Sequence, residues 1–251
     1  MQALKGKVIL ITGASRGLGR ALALEFAHQG ASLIINSRAS STDDLADTER
    51  GVRALGAEVL GVVADVSDRA DVERLAGESL AHFGRVDVLI NNASALGPSP
   101  MPYLIDYPIE DFEGVLRTNV TGPFLLTRAL AGQMLTRGTG SIINVSSDAG
   151  VIGYPTWGAY GVSKAALDHL TRTWAAEVQG TGVRINSVDP GSMDTLMHRL
   201  AEPTEDPAQW AKPEDVTPVF VHLASDESAN VNGQRLDAQT FAKEQAGKVS
   251  R

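Results

Sequence analysis

Residues 8–19 read VILITGASRGLG, and this stretch decides the fold class. Its first part, Val8–Ile11, has the uninterrupted apolar pattern of a strand that is buried on both faces. The segment Arg16–Gln29 follows with apolar residues at helical spacing, and Gly30 is a suitable residue to end that helix. A strand, a glycine-rich turn and a helix in this order predict the first unit of an α/β protein.

The same alternation continues along the chain. Further strands are predicted at 33–35, 59–64, 86–90, 141–145, 183–188 and 234–237, and further helices at 42–55, 68–83, 109–137, 160–178 and 213–224. Alternation of this kind predicts a doubly wound parallel sheet, Rossmann-like, with about seven strands and helices on both faces. Residues 1–251 are expected to form a single domain.

Two C-terminal segments depart from the regular pattern. Residues 192–212 are rich in Pro, Glu and Asp, and we expect them to form a small substrate lobe or a mobile lid. The tail 240–251 is polar and is predicted to be disordered.

Composition excludes several classes of function. The chain has 251 residues, a net charge of −8 and no cysteine, so disulfides, thiolate metal sites and cysteine nucleophiles are excluded, and no metal site is predicted. An acidic chain without a basic run is not expected to bind nucleic acid or an anionic membrane. No signal peptide or membrane-spanning apolar run is visible, which predicts a cytoplasmic protein.

The glycine-rich turn predicts a nucleotide-binding site. Gly13 permits a tight turn, Gly17 lets the backbone approach a phosphate, and Gly19 allows close helix packing. The spacing is G-x-x-x-G-x-G, which differs from the usual dinucleotide fingerprint, and the alternative is a turn that merely needs glycine. Its position at the first strand-to-helix junction favours the nucleotide.

The end of the second strand bears on the choice of cofactor. A free ribose 2′-hydroxyl favours a carboxylate there, whereas a 2′-phosphate favours a cation. The strand ends without an acidic residue and is followed by Arg38, and Arg16 lies at the same end of the sheet. The pair predicts NADP rather than NAD, unless both are solvated surface arginines.

Two further strand ends carry polar residues. Asp65 follows the third strand and can accept a hydrogen bond from an adenine amino group, or alternatively cap the next helix. Asn91-Asn92-Ala93 ends the fourth strand, where amide side chains can pin the neighbouring backbone and Ala93 leaves room for a ribose.

A tyrosine, a lysine and a serine form the candidate catalytic group. Tyr160 and Lys164 are four residues apart and therefore share one helix face. The cation is expected to lower the pKa of the phenol, which can then exchange a proton with an alcohol or a carbonyl oxygen. Ser147 ends the fifth strand and can hold the substrate oxygen, with Ser146 as the alternative. Taken alone, the Tyr/Lys pair is more typical of an exposed helix face, and only its combination with the nucleotide turn and the strand-end serine favours a catalytic role.

The combination over about residues 5–195 resembles a classical short-chain dehydrogenase/reductase. The resemblance rests on Thr12–Gly19, Asp65, Asn91-Asn92-Ala93, Asn119, Ser147, Tyr160, Lys164 and Pro190-Gly191. It implies that Tyr160 is the acid/base, that Lys164 binds the nicotinamide ribose and tunes Tyr160, that Ser147 positions the substrate, and that Asn119 holds a water in a proton relay. The residues and the resemblance together predict cofactor contacts at Thr12, Gly13, Ser15, Arg16, Gly17, Leu18, Gly19, Ser37, Arg38, Asp65, Val66, Asn91, Ala93, Tyr160, Lys164, Pro190, Gly191, Met193 and Thr195.

Three features differ from the pattern of this family. Ser94 replaces the glycine usual after Asn-Asn-Ala, Asp189 replaces a common asparagine, and Leu236-Asp237-Ala238-Gln239 replaces a common Val-Asp-Gly-Gly ending. The C-terminal region is therefore expected to depart most from the family.

The expected function is NADP(H)-dependent interconversion of a carbonyl and a secondary alcohol. A 3-oxoacyl-reductase-like enzyme or a general ketone/aldehyde reductase fits, and a non-catalytic NADP(H)-binding sensor or a different reaction such as dehydration are the alternatives. The pocket is expected to be mostly apolar, which favours a small or medium, fairly apolar substrate, and its candidate lining is Ala95, Leu96, Asp148, Tyr154, Trp157 and residues 193–210. The resemblance implies a homo-oligomer, a tetramer or a dimer.

Overall fold

The computed structural model describes residues 2–249 and contains a parallel sheet of seven strands with helices on both faces. The strands are β1 Val8–Ile11, β2 Ser32–Ser37, β3 Val59–Val63, β4 Val88–Asn91, β5 Gly140–Val145, β6 Val183–Asp189 and β7 Arg235–Asp237. Their order is β3-β2-β1-β4-β5-β6-β7, so the winding direction changes between β1 and β4. Ligands of such sheets bind outside the carboxyl ends of the strands at this change. The predicted Rossmann-like fold is confirmed.

The helices follow the predicted alternation. They are α1 Gly17–His28, α2 Thr42–Ala54, α3 Arg69–Phe83, α4 Ile109–Leu116, α5 Gly122–Arg137, α6 Gly158–Glu177, α7 Leu196–Ala201, α8 Thr217–Ala224 and α9 Ala238–Val249. A π-helical turn, Arg117–Thr121, joins α4 to α5, so the predicted helix 109–137 is continuous with one widened turn.

Two apolar layers hold the sheet between the helices. Alternate residues of β1 point to opposite faces, and Ile9 lies in the layer that contains Phe26 of α1 and Phe220 of α8. Leu10 lies in the other layer, which contains Leu75 of α3. These side chains are fully buried, and each contributes roughly 1.5–3 kcal/mol through the removal of apolar surface from water.

The prediction of disorder from residue 240 is wrong for the part of the tail that the structure describes. Helix α9 begins at Ala238, which is buried, and the ring of Phe241 packs against the core and lies 5.3 Å from the ring of His222. These few apolar contacts order a helix whose sequence is otherwise polar. Ser250 and Arg251 lie outside the described residues.

The predicted substrate lobe contains α7 and a 3₁₀ turn at Pro207–Gln209. Met193 and Ala211 pair in an isolated parallel bridge, so the two ends of the segment lie together. Whether the lobe moves stays a prediction. Across residues 2–249, none of the helices has both the length and the apolar character that crossing a bilayer requires.

Candidate active site

The glycine-rich turn leaves no room for side chains at two of its positions. Gly13 has φ +65° and Gly17 has φ +52°, a region that favours glycine. A Cβ at Gly13 would lie 2.8 Å from Cα of Ala93, and one at Gly19 would lie 2.6 Å from Nδ2 of Asn92. The turn after β1 therefore sits directly against the loop after β4.

Hydrogen bonds fix this contact. Nδ2 of Asn92 donates to the carbonyl oxygens of Thr12 and Gly13, at 2.9 and 3.0 Å. The hydroxyl of Thr12 accepts from the backbone N–H groups of Asn92 and Ala93, both at 3.0 Å. Asn92 was part of the recognised motif but not of the predicted contact set, and its role is to hold the shape of the turn.

Asn91 lies differently from the neighbouring Asn92. Its side chain is buried, and Nδ2 donates to Oδ1 of Asn144 at 2.8 Å, while Nδ2 of Asn144 donates to the hydroxyl of Thr171 at 2.8 Å. The Asn91 side chain thus ties β4 to β5 and α6, and any contact of this predicted site residue with a cofactor is left to its backbone.

The two predicted phosphate-binding arginines lie at the same edge of the sheet. Arg16 directly precedes α1, and its Nη2 donates to the hydroxyl of Ser41 at 2.8 Å, three residues after Arg38. The hydroxyl of Ser37 donates to the Ser41 carbonyl oxygen at 3.2 Å and closes this loop. Both arginines are exposed, and neither forms an ion pair with any residue between 2 and 249.

Ser15 and Leu18 are both buried beneath the turn, at 7% and 5% exposure. The carbonyl oxygen of Ser15 accepts from the hydroxyl of Thr48 at 3.3 Å, which joins the turn to α2. The buried side chains of Ser15 and Leu18 therefore support the turn from the protein interior, and the backbone of the turn is left to contact a ligand.

Asp65 does not cap the helix that follows it. Asp68 caps α3 by accepting from the N–H of Asp71, so the alternative role for Asp65 is wrong. Oδ1 of Asp65 instead accepts from the N–H and hydroxyl of Ser67, at 2.8 and 2.7 Å. Val66 is buried and its carbonyl oxygen lies close to the start of α5.

Tyr160 and Lys164 lie on one face of α6, as their spacing predicted. Nζ of Lys164 lies 5.3 Å from the centre of the Tyr160 ring and donates to the carbonyl oxygen of Val145 at 2.7 Å. Lys164 is 2% exposed, so its ammonium group is almost entirely removed from water. The ring of Trp157 packs edge-on against Tyr160, with 5.6 Å between ring centres.

Ser147 is the serine that faces Tyr160. Its hydroxyl donates to Asp148 at 3.1 Å and accepts from the N–H of Ala149 at 3.2 Å, and it lies close enough to the phenol to act on the Tyr160 pKa. Ser146 points to the other side, where its hydroxyl is buried and has no partner within the described chain. The geometry thus separates the two alternatives in favour of Ser147.

The expected lowering of the Tyr160 pKa is wrong for the protein by itself. Removal from water raises the pKa of the phenol, and the negative charges of Asp189 and Asp148 raise it further, while hydrogen bonds with Ser147 and Ser94 oppose them. The sequence did not reveal this because local spacing shows neither how far the phenol is removed from water nor that Asp189 reaches the site from β6. Burial also lowers the pKa of Lys164, to about 8, against the charges of Asp168 and Asp189, which raise it.

Asn119 joins three parts of the site. Its Oδ1 accepts from the N–H of Ala95 and the hydroxyl of Ser94, at 2.7 and 3.1 Å. Its Nδ2 donates to the Ala95 carbonyl oxygen and to the hydroxyl of Ser163, both at 2.9 Å. Its side chain therefore positions the loop after β4 against α6, and the water relay stays a prediction.

The turn after β6 is held by α9. Gly191 has φ +68°, and Nε2 of Gln239 donates to the carbonyl oxygens of Pro190 and Ser192, at 3.3 and 3.2 Å. Oδ1 of Asp189 accepts from the Gly191 N–H at 2.9 Å. Neither Asp189 nor Gln239 was predicted as a site residue. Both bond to backbone groups of the turn, and the sequence does not show where these groups point.

The segment after this turn closes toward the glycine-rich turn. A Cβ at Gly17 would lie 3.3 Å from the Thr195 methyl group, so the two stretches are neighbours. The Thr195 hydroxyl accepts from the N–H of His198 at 3.2 Å and caps α7. Met193 packs against the core.

The lobe is tied to the catalytic helix on one side. Nε1 of Trp157 donates to Glu202 at 3.0 Å, and the hydroxyl of Ser99 donates to the Leu200 carbonyl oxygen at 3.0 Å. The Tyr154 hydroxyl donates to Asp148 at 2.8 Å. The predicted lining residues thus surround Tyr160 and Ser147 with both aromatic and acidic groups.

Comparisons with known proteins show the family of the chain. The family model described as short chain dehydrogenase matches residues 7–206, and the chain belongs to this family. A 3-oxoacyl-[acyl-carrier-protein] reductase of Thermotoga maritima is 37% identical, with 92% of this chain and 95% of the relative aligned. The protein is therefore an oxidoreductase that acts on a carbonyl/alcohol pair of a small molecule and binds a nicotinamide cofactor.

Two solved structures of the family contain different cofactors. A short-chain dehydrogenase of Shigella flexneri complexed with NADP is 30% identical and has a TM-score of 0.87. The alignment covers 95% of this chain and 100% of that one. A xylitol dehydrogenase with bound NAD⁺ is 32% identical and has a TM-score of 0.86, and the alignment covers 93% of this chain and 98% of that one.

Proposed function

We propose that the protein is an NADP(H)-dependent reductase that interconverts a carbonyl and a secondary alcohol. The observation that carries this proposal is the meeting of Ser147, Tyr160 and Lys164 at the carboxyl end of β5, on the same edge of the sheet as the glycine-rich turn. A phenol, a hydroxyl and an ammonium group converge where a parallel sheet of this kind binds its ligand.

The residues at this edge fit a nicotinamide dinucleotide. Gly13 and Gly17 expose backbone where a side chain would intrude, and the amino end of α1 favours an anion. Arg16 and Arg38 would hold phosphate groups, and Lys164 would hold ribose hydroxyls. When bound, the cofactor supplies a hydride to the substrate carbon or accepts one from it.

Ser147 and Tyr160 are the residues that would contact the substrate oxygen. Ser147 donates a hydrogen bond that orients this oxygen, and Tyr160 gives it a proton when a carbonyl is reduced. Because the Tyr160 pKa is raised, the phenol is neutral at pH 7 and carries the proton that reduction consumes. Near neutral pH, Tyr160 is therefore in the protonation state that carbonyl reduction requires.

Replacement of Tyr160 tests the catalytic assignment. We expect Tyr160→Phe to lose at least about 100-fold in kcat, the scale of a removed general acid, and to keep its NADPH affinity. Tyr103→Phe, which changes an exposed ring, is the matched control and should keep full activity. Steady-state kinetics and NADPH fluorescence titration provide both values, and turnover by Tyr160→Phe within tenfold of wild type would refute the role.

The preference for NADP is inferred from charge. β2 ends at Ser37 without a carboxylate, and Arg16 is held by Ser41 next to the loop that carries Arg38. Two guanidinium groups that form no ion pair with residues 2–249 can bind a 2′-phosphate and offer nothing specific to a 2′-hydroxyl. NADP is the better fit to this edge of the sheet.

Reversal of one charge tests this preference. Arg38→Asp is expected to raise the KM for NADPH by 10-fold or more and to lower the KM for NADH, because a carboxylate repels a phosphate and accepts from a ribose hydroxyl. Arg69→Asp, at an exposed position of α3, should leave both values unchanged. An unaltered ratio of the two KM values in Arg38→Asp would refute the clamp.

For the substrate we infer a small or medium, fairly apolar carbonyl compound. Val151, Ile152, Leu196 and Leu200 are exposed apolar side chains in the segments beside the site. A 3-oxoacyl thioester, as the name of the Thermotoga relative indicates for that protein, or a ketone or aldehyde has this character. NADPH consumption against a panel of such compounds separates them.

We also infer a homo-oligomer in the cytoplasm. Tyr103, Leu104, Ile105 and Ile109 expose 60–92% of their surface and form an apolar stretch just before and within α4. Apolar stretches of this kind often mark contacts between subunits. Light scattering coupled to size exclusion measures the mass of the assembly.

A further inference from the structure

Two buried carboxylates and a cation lie next to the catalytic pair without a role in the reaction described so far. The side chains of Asp168 on α6 and Asp189 on β6 are 5% and 6% exposed. Arg235 of β7 bridges them, with Nε 3.2 Å from Oδ2 of Asp168 and Nη2 2.9 Å from Oδ2 of Asp189. Buried charges are costly, so such a network in this place calls for an explanation.

The backbone brings the network to Lys164. Asp168 follows Lys164 by one helical turn and Tyr160 by two, so the three side chains share one face of α6, on which Lys164 and Asp168 are buried and Tyr160 is half-buried. The carbonyl oxygen that accepts from Lys164 belongs to Val145, and Val145 pairs in the sheet with the residue before Asp189.

The charges of this group balance. Lys164 and Arg235 provide two cations, and Asp168 and Asp189 provide two anions. Oδ1 of Asp168 is buried and has no hydrogen-bond partner among residues 2–249, so its charge is not fully compensated by direct bonds. A negative charge at this position favours the protonated form of the neighbouring ammonium group.

The groups that face Lys164 from other elements add one more charge. Asp148, in the turn after β5, acts on Tyr160 and Asp189. The π-helical turn presents the neutral Asn119 to α6, and β5 presents the neutral Asn144. Asp168 and Asp189 are the carboxylates whose charges act on Lys164, and Arg235 binds both of them.

We propose that Asp168 and Asp189, joined by Arg235, are positioning residues that keep Lys164 in its charged form and fix the Pro190–Gly191 turn. The edge strand β7 thereby becomes part of the active site. The reaction assigned to Tyr160 and Lys164 above is the basis of this proposal. Burial lowers the Lys164 pKa, and the charges of Asp168 and Asp189 act against this lowering, as the proposal requires.

A titration of Lys164 tests the network without any turnover. In cofactor-free protein, the NMR shift of Lys164 Cε, assigned by comparison with Lys164→Met, reports the protonation midpoint. We expect Asp168→Asn to lower this midpoint by about one pH unit, a typical effect of removing one nearby charge. The control Asp226→Asn removes a carboxylate from the surface ion pair with Lys7 and should leave the midpoint in place.

A variant that should shift the Lys164 midpoint in the opposite direction distinguishes the proposed effect from a folding defect. Arg235→Gln removes the cation that competes with Lys164 for the two carboxylates, so it should raise the midpoint. A purely structural role would not produce shifts of opposite sign in Asp168→Asn and Arg235→Gln. Unchanged midpoints in both variants would overturn the proposal, as would shifts of the same sign.

Kinetics then separate the two carboxylates. Asp168→Asn should move the alkaline limb of the kcat profile for reduction to lower pH, because Lys164 loses its proton sooner. Asp189→Asn should in addition move the acid limb of alcohol oxidation to lower pH, because Asp189 raises the pKa of Tyr160. Profiles that coincide with wild type in both variants would contradict the positioning role.

The two levels of proposal can fail separately. Turnover by Tyr160→Phe would end the assigned reaction while leaving the Lys164 midpoint shifts intact. If Tyr160→Phe is inactive but no network variant moves the Lys164 midpoint, the assigned reaction stands. Only the positioning role is then refuted, for Asp168, Asp189 and Arg235.

Discussion

Lys164 places an ammonium group among buried side chains, and the cost of doing so depends on pH. Its pKa is about 8 in the folded protein, against an ordinary value near 10.5. Below pH 8 the residue is charged in both the folded and the unfolded chain, and the folded state bears the full penalty. As the pH rises from 8 to 10.5, the folded protein loses this proton first and the penalty disappears.

This behaviour predicts a pH-dependent difference between wild type and Lys164→Met. Relative to the variant, the wild-type free energy of unfolding should rise by roughly 2 kcal/mol between pH 7 and pH 10, on the order of the 1.36 kcal/mol per pKa unit that linkage gives. Urea unfolding at several pH values measures it. A difference that stays constant over this range would contradict the lowered pKa.

At the residue scale, the sequence predicted the positions of the site's side chains better than their pKa values. The four-residue spacing placed Tyr160 and Lys164 on one helix face, and strand alternation placed Ser146 and Ser147 on opposite sides. The direction of the Tyr160 pKa was predicted wrongly because burial of the phenol, and then the charge of Asp189 arriving from β6, raise it, and local spacing shows neither.

At the scale of elements, the last helix has a role that its sequence concealed. Thr240 and the residues after it lack a long apolar pattern, so the sequence predicted disorder. The structure orders α9 through Ala238 and Phe241, and this brings Gln239 to the Pro190–Gly191 turn. The alternating strands and helices of the rest of the chain have strong periodicity, and their bounds were predicted to within a few residues.

The α9 contact leads to a prediction about cofactor binding. Gln239→Ala removes two hydrogen bonds to the turn, each worth about 1 kcal/mol at most, so NADPH affinity should fall roughly 5- to 10-fold while kcat at saturation is kept. Gln234→Ala changes an exposed side chain near β7 and should bind NADPH as wild type does. Fluorescence titration measures both, and equal affinities would show that α9 does not support the site.

At the scale of the whole molecule, the charge of the chain and the charge of its ligand have the same sign. The net charge of −8 repels an anionic dinucleotide as a whole, whereas Arg16 and Arg38 attract it locally. Salt screens both effects, but they act in opposite directions on affinity. The balance between them should differ for NADPH, which has the 2′-phosphate, and for NADH, which lacks it.

We therefore expect the two cofactors to respond differently to salt. As ionic strength rises from about 0.01 M to about 1 M, the Debye length falls from about 30 Å to about 3 Å, and the dissociation constant of NADPH should rise several-fold. That of NADH should change little or fall, because screening mainly removes the general repulsion. In Arg38→Ala the NADPH response should become similar to that of NADH. Titrations of both cofactors over this range decide the matter, and a parallel response of NADPH and NADH in the wild type would mean that the arginines do not bind the 2′-phosphate.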